Sequence, residues 1–83
     1  MGINAIKKGE KLIQIYMQKV VSSNVDSIGY SEPDKILRVK FGQGSVYDYK
    51  NVPIIIFQQF KDSESKGVFC NKVLKDYKYE KIS

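Results

Sequence analysis

The sequence predicts a small α+β domain, an antiparallel β-sheet of at least three strands packed against two C-terminal helices. Three observations carry that reading. Two stretches, Ile36–Phe41 and Ser45–Lys50, alternate in polarity on either side of a Gly-rich turn. Pro53 then opens a short apolar run, Ile54 to Phe60, of helical character. Finally Phe69, Val73 and Tyr77 recur every four residues, the spacing of one helix face.

In the first stretch Leu37, Val39 and Phe41 share one face, and Arg38 and Lys40 share the other. In the second, Tyr47 and Tyr49 share a face. A three-residue loop at Gln43-Gly44-Ser45, with Gly44 at positive φ, would set Phe41 opposite Tyr47 and Val39 opposite Tyr49. The hairpin then has one greasy side that another layer must cover. Val25, Ile28 and Tyr30 mark a preceding strand behind the polar Ser22-Ser23-Asn24. Ser31-Glu32-Pro33-Asp34 reads as the turn between them, because proline presets φ at its second position.

The first helix is expected from Ile54 to about Lys61. Its apolar residues Ile54, Ile55, Ile56, Phe57 and Phe60 wrap more than one face, whereas a helix resting on a single sheet needs only a stripe. The surplus predicts a second partner, most simply another copy of the chain, with Ile54 and Ile55 at the interface. Residues 62–67 read as a polar linker. A second helix is expected from near Val68 to Tyr77, with Cys70 and Leu74 flanking its stripe, and Tyr77-Lys78-Tyr79-Glu80-Lys81 reads as a basic, aromatic tail.

Residues 1–16 suit neither helix nor strand cleanly, since Gly9 weakens a continuous helix. They read as an N-terminal extension, an arm or extra strand, with a strand from about Leu12 towards Val21 and the main domain over residues 17–83. Eighty-three residues make one domain near the lower limit for a self-sufficient core. One cysteine forbids an internal disulfide, and no histidine leaves little for a zinc site. No cofactor or metal is expected. The chain has no apolar run of membrane length and no signal-peptide pattern, so a soluble, cytoplasmic protein without a membrane partner is expected. The net charge of +5 sits at the two ends, on Lys7, Lys8, Lys11 and Lys19, and on Lys66, Lys72, Lys75, Lys78 and Lys81. Such ends suit a polyanionic partner; they also serve solubility alone.

The segments SSNVDSIGY (Ser22–Tyr30), LRVKFGQGSVYDY (Leu37–Tyr49), Val52-Pro53, Ser65-Lys66-Gly67 and Phe69-Cys70-Asn71, with Leu74, Lys75 and Tyr77, together resemble the KTSC domain. This short module was first noted at the C-terminus of some lysyl-tRNA synthetases and also stands alone in bacteria and phages. The Tyr47-x-Tyr49 pair is the most recognisable part of the resemblance, which covers about Met17 to the end. It implies no settled activity, and it implies RNA binding only through the synthetase context. Two departures stand out: residues 1–16 fall outside the usual domain, and Ile54 and Ile55 occupy positions that are commonly polar in the family. The chain reads as free-standing, and its lysine- and isoleucine-rich composition suits a phage of an AT-rich host.

The candidate ligand-binding residues are Ser22, Ser23, Asn24, Arg38, Tyr47, Tyr49, Lys66, Phe69, Asn71, Lys72 and Lys75. The tyrosines suit a place in the core, as buried tyrosine at strand spacing ordinarily does, or stacking on a base. The Ser22-Ser23-Asn24 run suits a phosphate or a base edge, or a backbone bend. Arg38, the one arginine, suits phosphate recognition by its planar fork, or a solvated strand face with Asp48 on the neighbouring strand. Lys66-Gly67 at a helix start suggests an anion site, and Phe69, Asn71, Lys72 and Lys75 mix ring, amide and cation. Catalysis has no histidine, no activated serine and no paired carboxylates to work with. The sequence therefore predicts a non-catalytic protein that binds a phosphate-bearing nucleotide or signalling small molecule, plausibly a phage protein sequestering a nucleotide signal of host defence. RNA binding, to tRNA or a single strand, is the second reading, and a protein-interaction module built on the isoleucine helix is the third.

Overall fold

Five strands form one antiparallel sheet in chain order: β1 (Gln18–Lys19), β2 (Val25–Ser31), β3 (Ile36–Phe41), β4 (Val46–Tyr49) and β5 (Tyr79–Lys81). Between β4 and β5 the chain makes α1 (Ile54–Asp62), α2 (Lys66–Lys72) and a 3-10 turn (Leu74–Asp76). The computed structural model describes residues 14–83. The arm expected over residues 1–16, and the strand start near Leu12, fall largely outside the described residues. What is described of that strand is two residues long, β1. The α+β class, the sheet and the two helices are as the sequence predicts.

The β3–β4 hairpin has the predicted faces but another register. Phe41 N–H donates to Ser45 O and Gly44 N–H to Phe41 O, so the loop is Gly42-Gln43-Gly44 and Gly44 takes φ of +109°. Val39 therefore lies opposite Tyr47, and Leu37 opposite Tyr49. The shift from the predicted pairing is two residues, one full period of the pleat, so no side chain changes face. A loop one residue earlier than expected accounts for all of it.

The apolar face carries the core. Val25, Ile28, Leu37, Val39 and Tyr49 pack with Val52, Phe60, Cys70 and Leu74 from the helical segment. Tyr30 pins the start of α1: its hydroxyl donates to Val52 O, and its ring stacks on Phe57 at 5.1 Å and 12°. Of α1, only Phe60 is fully buried; Ile56 and Phe57 are partly covered, while Ile54 and Ile55 keep 39% and 53% of their surface. The apolar surplus noted in the sequence is thus open surface on α1.

The second helix is shorter than predicted. It ends at Lys72, and a 3-10 turn carries the chain on to Tyr77. Because the helix breaks, the buried pair is Cys70 and Leu74, and Phe69 and Tyr77 are only partly covered. The tail expected after Tyr77 is strand β5, whose Glu80 meets Lys50 at 3.0 Å. A three-residue strand is too short to stand out as a pattern beside a basic terminus.

The opposite face of the sheet is closed by other means. Arg38 and Asp48, directly opposite each other on β3 and β4, form a two-pronged pair, Nε to Oδ1 at 2.7 Å and Nη2 to Oδ2 at 2.9 Å. Residues Ile15–Met17 cross β2 at Gly29. A Cβ placed on Gly29 would collide with Tyr16 O, lie 2.6 Å from Ile15 Cγ2 and 2.9 Å from Met17 Sδ. Glycine is therefore required here for backbone approach, with no demand on φ. Gly29→Ala should cost about 1–3 kcal/mol, the usual penalty of overpacking, and should free the N-terminal segment. Urea denaturation with limited proteolysis before Gln18 checks this; unchanged stability and cleavage would show that the crossing is not tight.

Candidate functional site

The helices cover the β2–β3 part of the apolar face, and its β4–β5 end stays open. There Phe41, Tyr47, Tyr49 and Tyr79 gather against α2. Tyr47 meets Phe41 edge-on at 5.7 Å and 83°, and meets Tyr79 at 5.7 Å; Tyr79 lies 5.8 Å from Tyr49. These rings, with Asn24, Gly67, Cys70, Asn71 and Lys75, line a cavity of about 280 Å³. Tyr49 is its floor, 8% exposed, whereas Tyr79 stands 59% exposed at its mouth.

A second cavity of about 240 Å³ continues it, lined by Ser22, Ser23, Asn24, Glu64, Ser65, Gly67, Val68 and Asn71. The two share Asn24, Gly67 and Asn71. Each falls just below the roughly 300–1,000 Å³ typical of ligand pockets. The polar end of the joined cleft is held by a tight bend before β2: Ser22 Oγ accepts from the N–H groups of Asn24 (3.2 Å) and Val25 (3.1 Å), and Ser23 Oγ donates to Asn24 Oδ1 at 2.8 Å. Gly42 N–H donates to Asn24 O at 2.8 Å, which ties the bend to the β3–β4 loop. Gly67 sits at the waist. A Cβ there would lie 3.4 Å from Asn24 Nδ2, in van der Waals contact, so Gly67 and Asn24 close on each other where the two cavities meet.

Seven of the predicted residues therefore converge: Ser22, Ser23, Asn24, Tyr47, Tyr49, Asn71 and Lys75. The other four do not join them. Arg38 projects from the opposite face of the sheet and is committed to Asp48, which raises its pKa through the paired hydrogen bonds. Lys66, 7% exposed, turns its Nζ back to Ser63 O at 2.6 Å, and Ser65 caps α2 by accepting from Val68 N–H. The anion site expected at Lys66-Gly67 is thus taken up by the protein's own groups. Phe69 packs on Phe60 at 5.1 Å and, with Lys72, lines an apolar groove along Ser63 and Val73 that borders the second cavity at Glu64, Ser65 and Val68. Neighbouring residues of a helix point about 100° apart, which puts Asn71 on the cleft and Lys72 on the groove.

Sequence reasoning missed Phe41, Glu64, Ser65, Val68, Cys70 and Tyr79 as cleft residues, and read Gly67 only beside Lys66 at an anion site. Phe41 and Tyr79 carried a signal, since both follow the period-two alternation that places Tyr47 and Tyr49. Glu64 and Gly67 sat in what read as a linker.

Burial raises the Cys70 thiol to about 11 and the Tyr49 hydroxyl to about 12, so both stay protonated near neutrality. Rings, hydroxyls, amides and one ammonium line the cleft, and Glu64 is its one carboxylate.

The family model for the KTSC domain matches residues 21–79, the span from the bend at Ser22 to Tyr79. The chain belongs to the KTSC domain family. Among solved structures, a KTSC domain protein from Yersinia pestis superposes with a TM-score of 0.78 at 36% identity, covering 84% of this chain and 100% of that one. A protein from Tsukamurella paurometabola is 37% identical over 59 residues, 71% of this chain and 88% of its own length. A lysine–tRNA ligase from Trichormus variabilis is 30% identical over 73 residues, which are 87% of this chain and 13% of the ligase. The KTSC match begins at residue 21, just after β1, and contains every residue of the joined cleft. No helix among the described residues is long and apolar enough to cross a membrane.

The two buried acids give the site a pH signature. Both are neutral when protonated, and burial raises both folded-state pKa values, so the native chain keeps protons that the unfolded chain releases. The resulting stability is complete below the ordinary thiol value of 9.0 and is lost as pH rises through about 11 and about 12. The urea midpoint should hold steady up to pH 9 and then fall, and Cys70 should resist thiol reagents until the protein unfolds. Rapid native labelling at neutral pH would contradict this burial.

Proposed function

We propose that this KTSC domain protein binds, without transforming, a phosphate-bearing nucleotide in the joined cleft. One observation carries the reading: two adjoining cavities that share Asn24, Gly67 and Asn71 put an aromatic wall on one side and hydroxyl and amide groups on the other. Stacking on tyrosine suits any base, and each stacked base contributes about 1–3 kcal/mol in single-strand readers. The non-catalytic part rests on the chemistry of the lining, which offers a single carboxylate, no histidine and a thiol held protonated. Binding without turnover serves sequestration. In a phage-encoded setting, in the host cytoplasm, the ligand would be a nucleotide signal of host defence. Ile54 and Ile55, open on α1, support assembly as a homo-oligomer.

RNA binding is the second reading. It is supported by the similarity to lysine–tRNA ligases, whose name states an action on tRNA, and by the net charge of +5. The two readings differ in salt dependence. A polynucleotide on a lysine surface loses affinity linearly on a log–log salt plot, with a slope near −0.7 per phosphate contacted for a single strand. A closed site for one nucleotide depends far less on salt.

Calorimetric titration with the four ribonucleoside 5′-monophosphates, against an oligoribonucleotide, at two salt concentrations decides between them. The nucleotide reading expects saturable binding of a monophosphate at fixed stoichiometry with a shallow salt slope. Gly67→Ala supplies the control: replacing a helical glycine should raise stability by up to about 1 kcal/mol, while the methyl group narrows the waist and weakens binding. Steep, length-dependent binding of the oligonucleotide alone would favour RNA and overturn the nucleotide reading.

A further inference from the structure

The hydrogen-bond polarity of the cleft gives its ligand a direction. Ser22 Oγ already accepts two backbone N–H groups, so what its hydroxyl has left to offer is a proton. Ser65 Oγ accepts from Val68 N–H at 3.3 Å and keeps its proton to donate, along with one lone pair. Asn24 Oδ1 takes the proton of Ser23, and this bond orients the amide so that its NH2 faces the Gly67 waist. Three groups from two different segments therefore present hydrogens to one end of the cleft. The complement of a donor lining is a group that only accepts, and an ionised phosphoryl group is the biological example with several such oxygens. At the other end the rings of Phe41, Tyr47 and Tyr79 offer apolar area that a phosphate cannot use and a base can.

Resting on the nucleotide reading, we propose that the phosphate lies at the Ser22–Asn24–Ser65 end and the base at the Phe41–Tyr47–Tyr79 end, with the sugar at the Gly67 waist. Glu64 lines the phosphate end and is the one charged residue there. Its carboxylate repels every added negative charge, so the site favours a ligand with few charges there, a single phosphate over a polyphosphate chain. Neutral donors hold the phosphate, and the carboxylate limits how much charge accompanies it. Lys75, at the ring end, lies away from that phosphate and beside the base. Net charge alone predicts the reverse arrangement, with phosphate drawn to the lysine.

The test compares the native chain with Glu64→Gln. Glu64 is exposed and outside the hydrophobic core, so the variant keeps the fold. The probes are the four ribonucleosides, their 5′-monophosphates and their 5′-triphosphates, titrated by calorimetry and by amide chemical shifts. Monophosphates are expected to bind more tightly than nucleosides and triphosphates. Removing the like charge should tighten monophosphate binding about two- to fivefold, the scale of one partly exposed charge pair. It should tighten triphosphates more and leave nucleosides unchanged. Adding the phosphate to a nucleoside should move the amides of Ser22–Val25 and Glu64–Gly67. If monophosphates bind but Glu64→Gln weakens them or leaves them unchanged, or if the phosphate moves the amides of Lys75–Lys81 instead, the orientation is wrong and the nucleotide reading stands. If no nucleoside or nucleotide binds the native chain, both fall.

Discussion

A five-stranded sheet with one apolar face must be covered, and this chain has two short helices with which to cover it. α1 has nine residues and α2 has seven. They are spent over β2 and β3, where Phe60, Leu74 and Val52 close on Ile28, Leu37 and Val39 with no exposed surface left. Nothing remains for the far end of the sheet. The side chains there are aromatic, and aromatic groups tolerate that position because each has an apolar body and Tyr adds a wet tip. The cleft is a consequence of this shortfall. It lies where the helical layer runs out, against Gly67 and Asn71 of α2 and Lys75 of the 3-10 turn.

The other face of the same sheet solves its covering problem without helices. A two-pronged Arg38–Asp48 pair and the crossing of Ile15–Met17 over Gly29 fill it, and the ionic pair satisfies its own donors and acceptors. The two faces therefore divide the labour. One consumes its polar groups internally, and the other leaves hydroxyls, amides and rings turned outward. A residue's chemistry is a poor guide to function until its face is known. Arg38 looks like the best phosphate ligand in the chain and is the one most fully committed elsewhere.

The fold was largely legible because period-two alternation is local. Leu37, Val39 and Phe41, and then Tyr47 and Tyr49, assign the sheet faces without reference to anything distant, and a two-residue error in register leaves those faces intact. What was hidden depended on where a short element begins or ends. Ser65-Lys66-Gly67 looked like linker because polar residues open the helix, and this concealed both the buried Lys66 and the waist glycine. Tyr79 was hidden for a related reason: β5 is three residues long and becomes a strand only by pairing with β4. For the site, seven residues could be named from side-chain type and family resemblance, because Ser22, Ser23, Asn24, Tyr47 and Tyr49 lie in or beside strands already assigned and Asn71 and Lys75 lie on the expected second helix. Glu64 had no such neighbour.

The account depends on the cleft being a receptor and not a gap left by economy of chain. Native mass spectrometry of the purified full-length protein with ribonucleoside 5′-monophosphates addresses that directly. The account predicts a discrete species that retains one nucleotide per cleft through transfer to the gas phase, and whose subunit number is fixed by the open isoleucines of α1. Protein that stays bare at every nucleotide concentration would contradict it and would leave the aromatic end of the sheet as uncovered core.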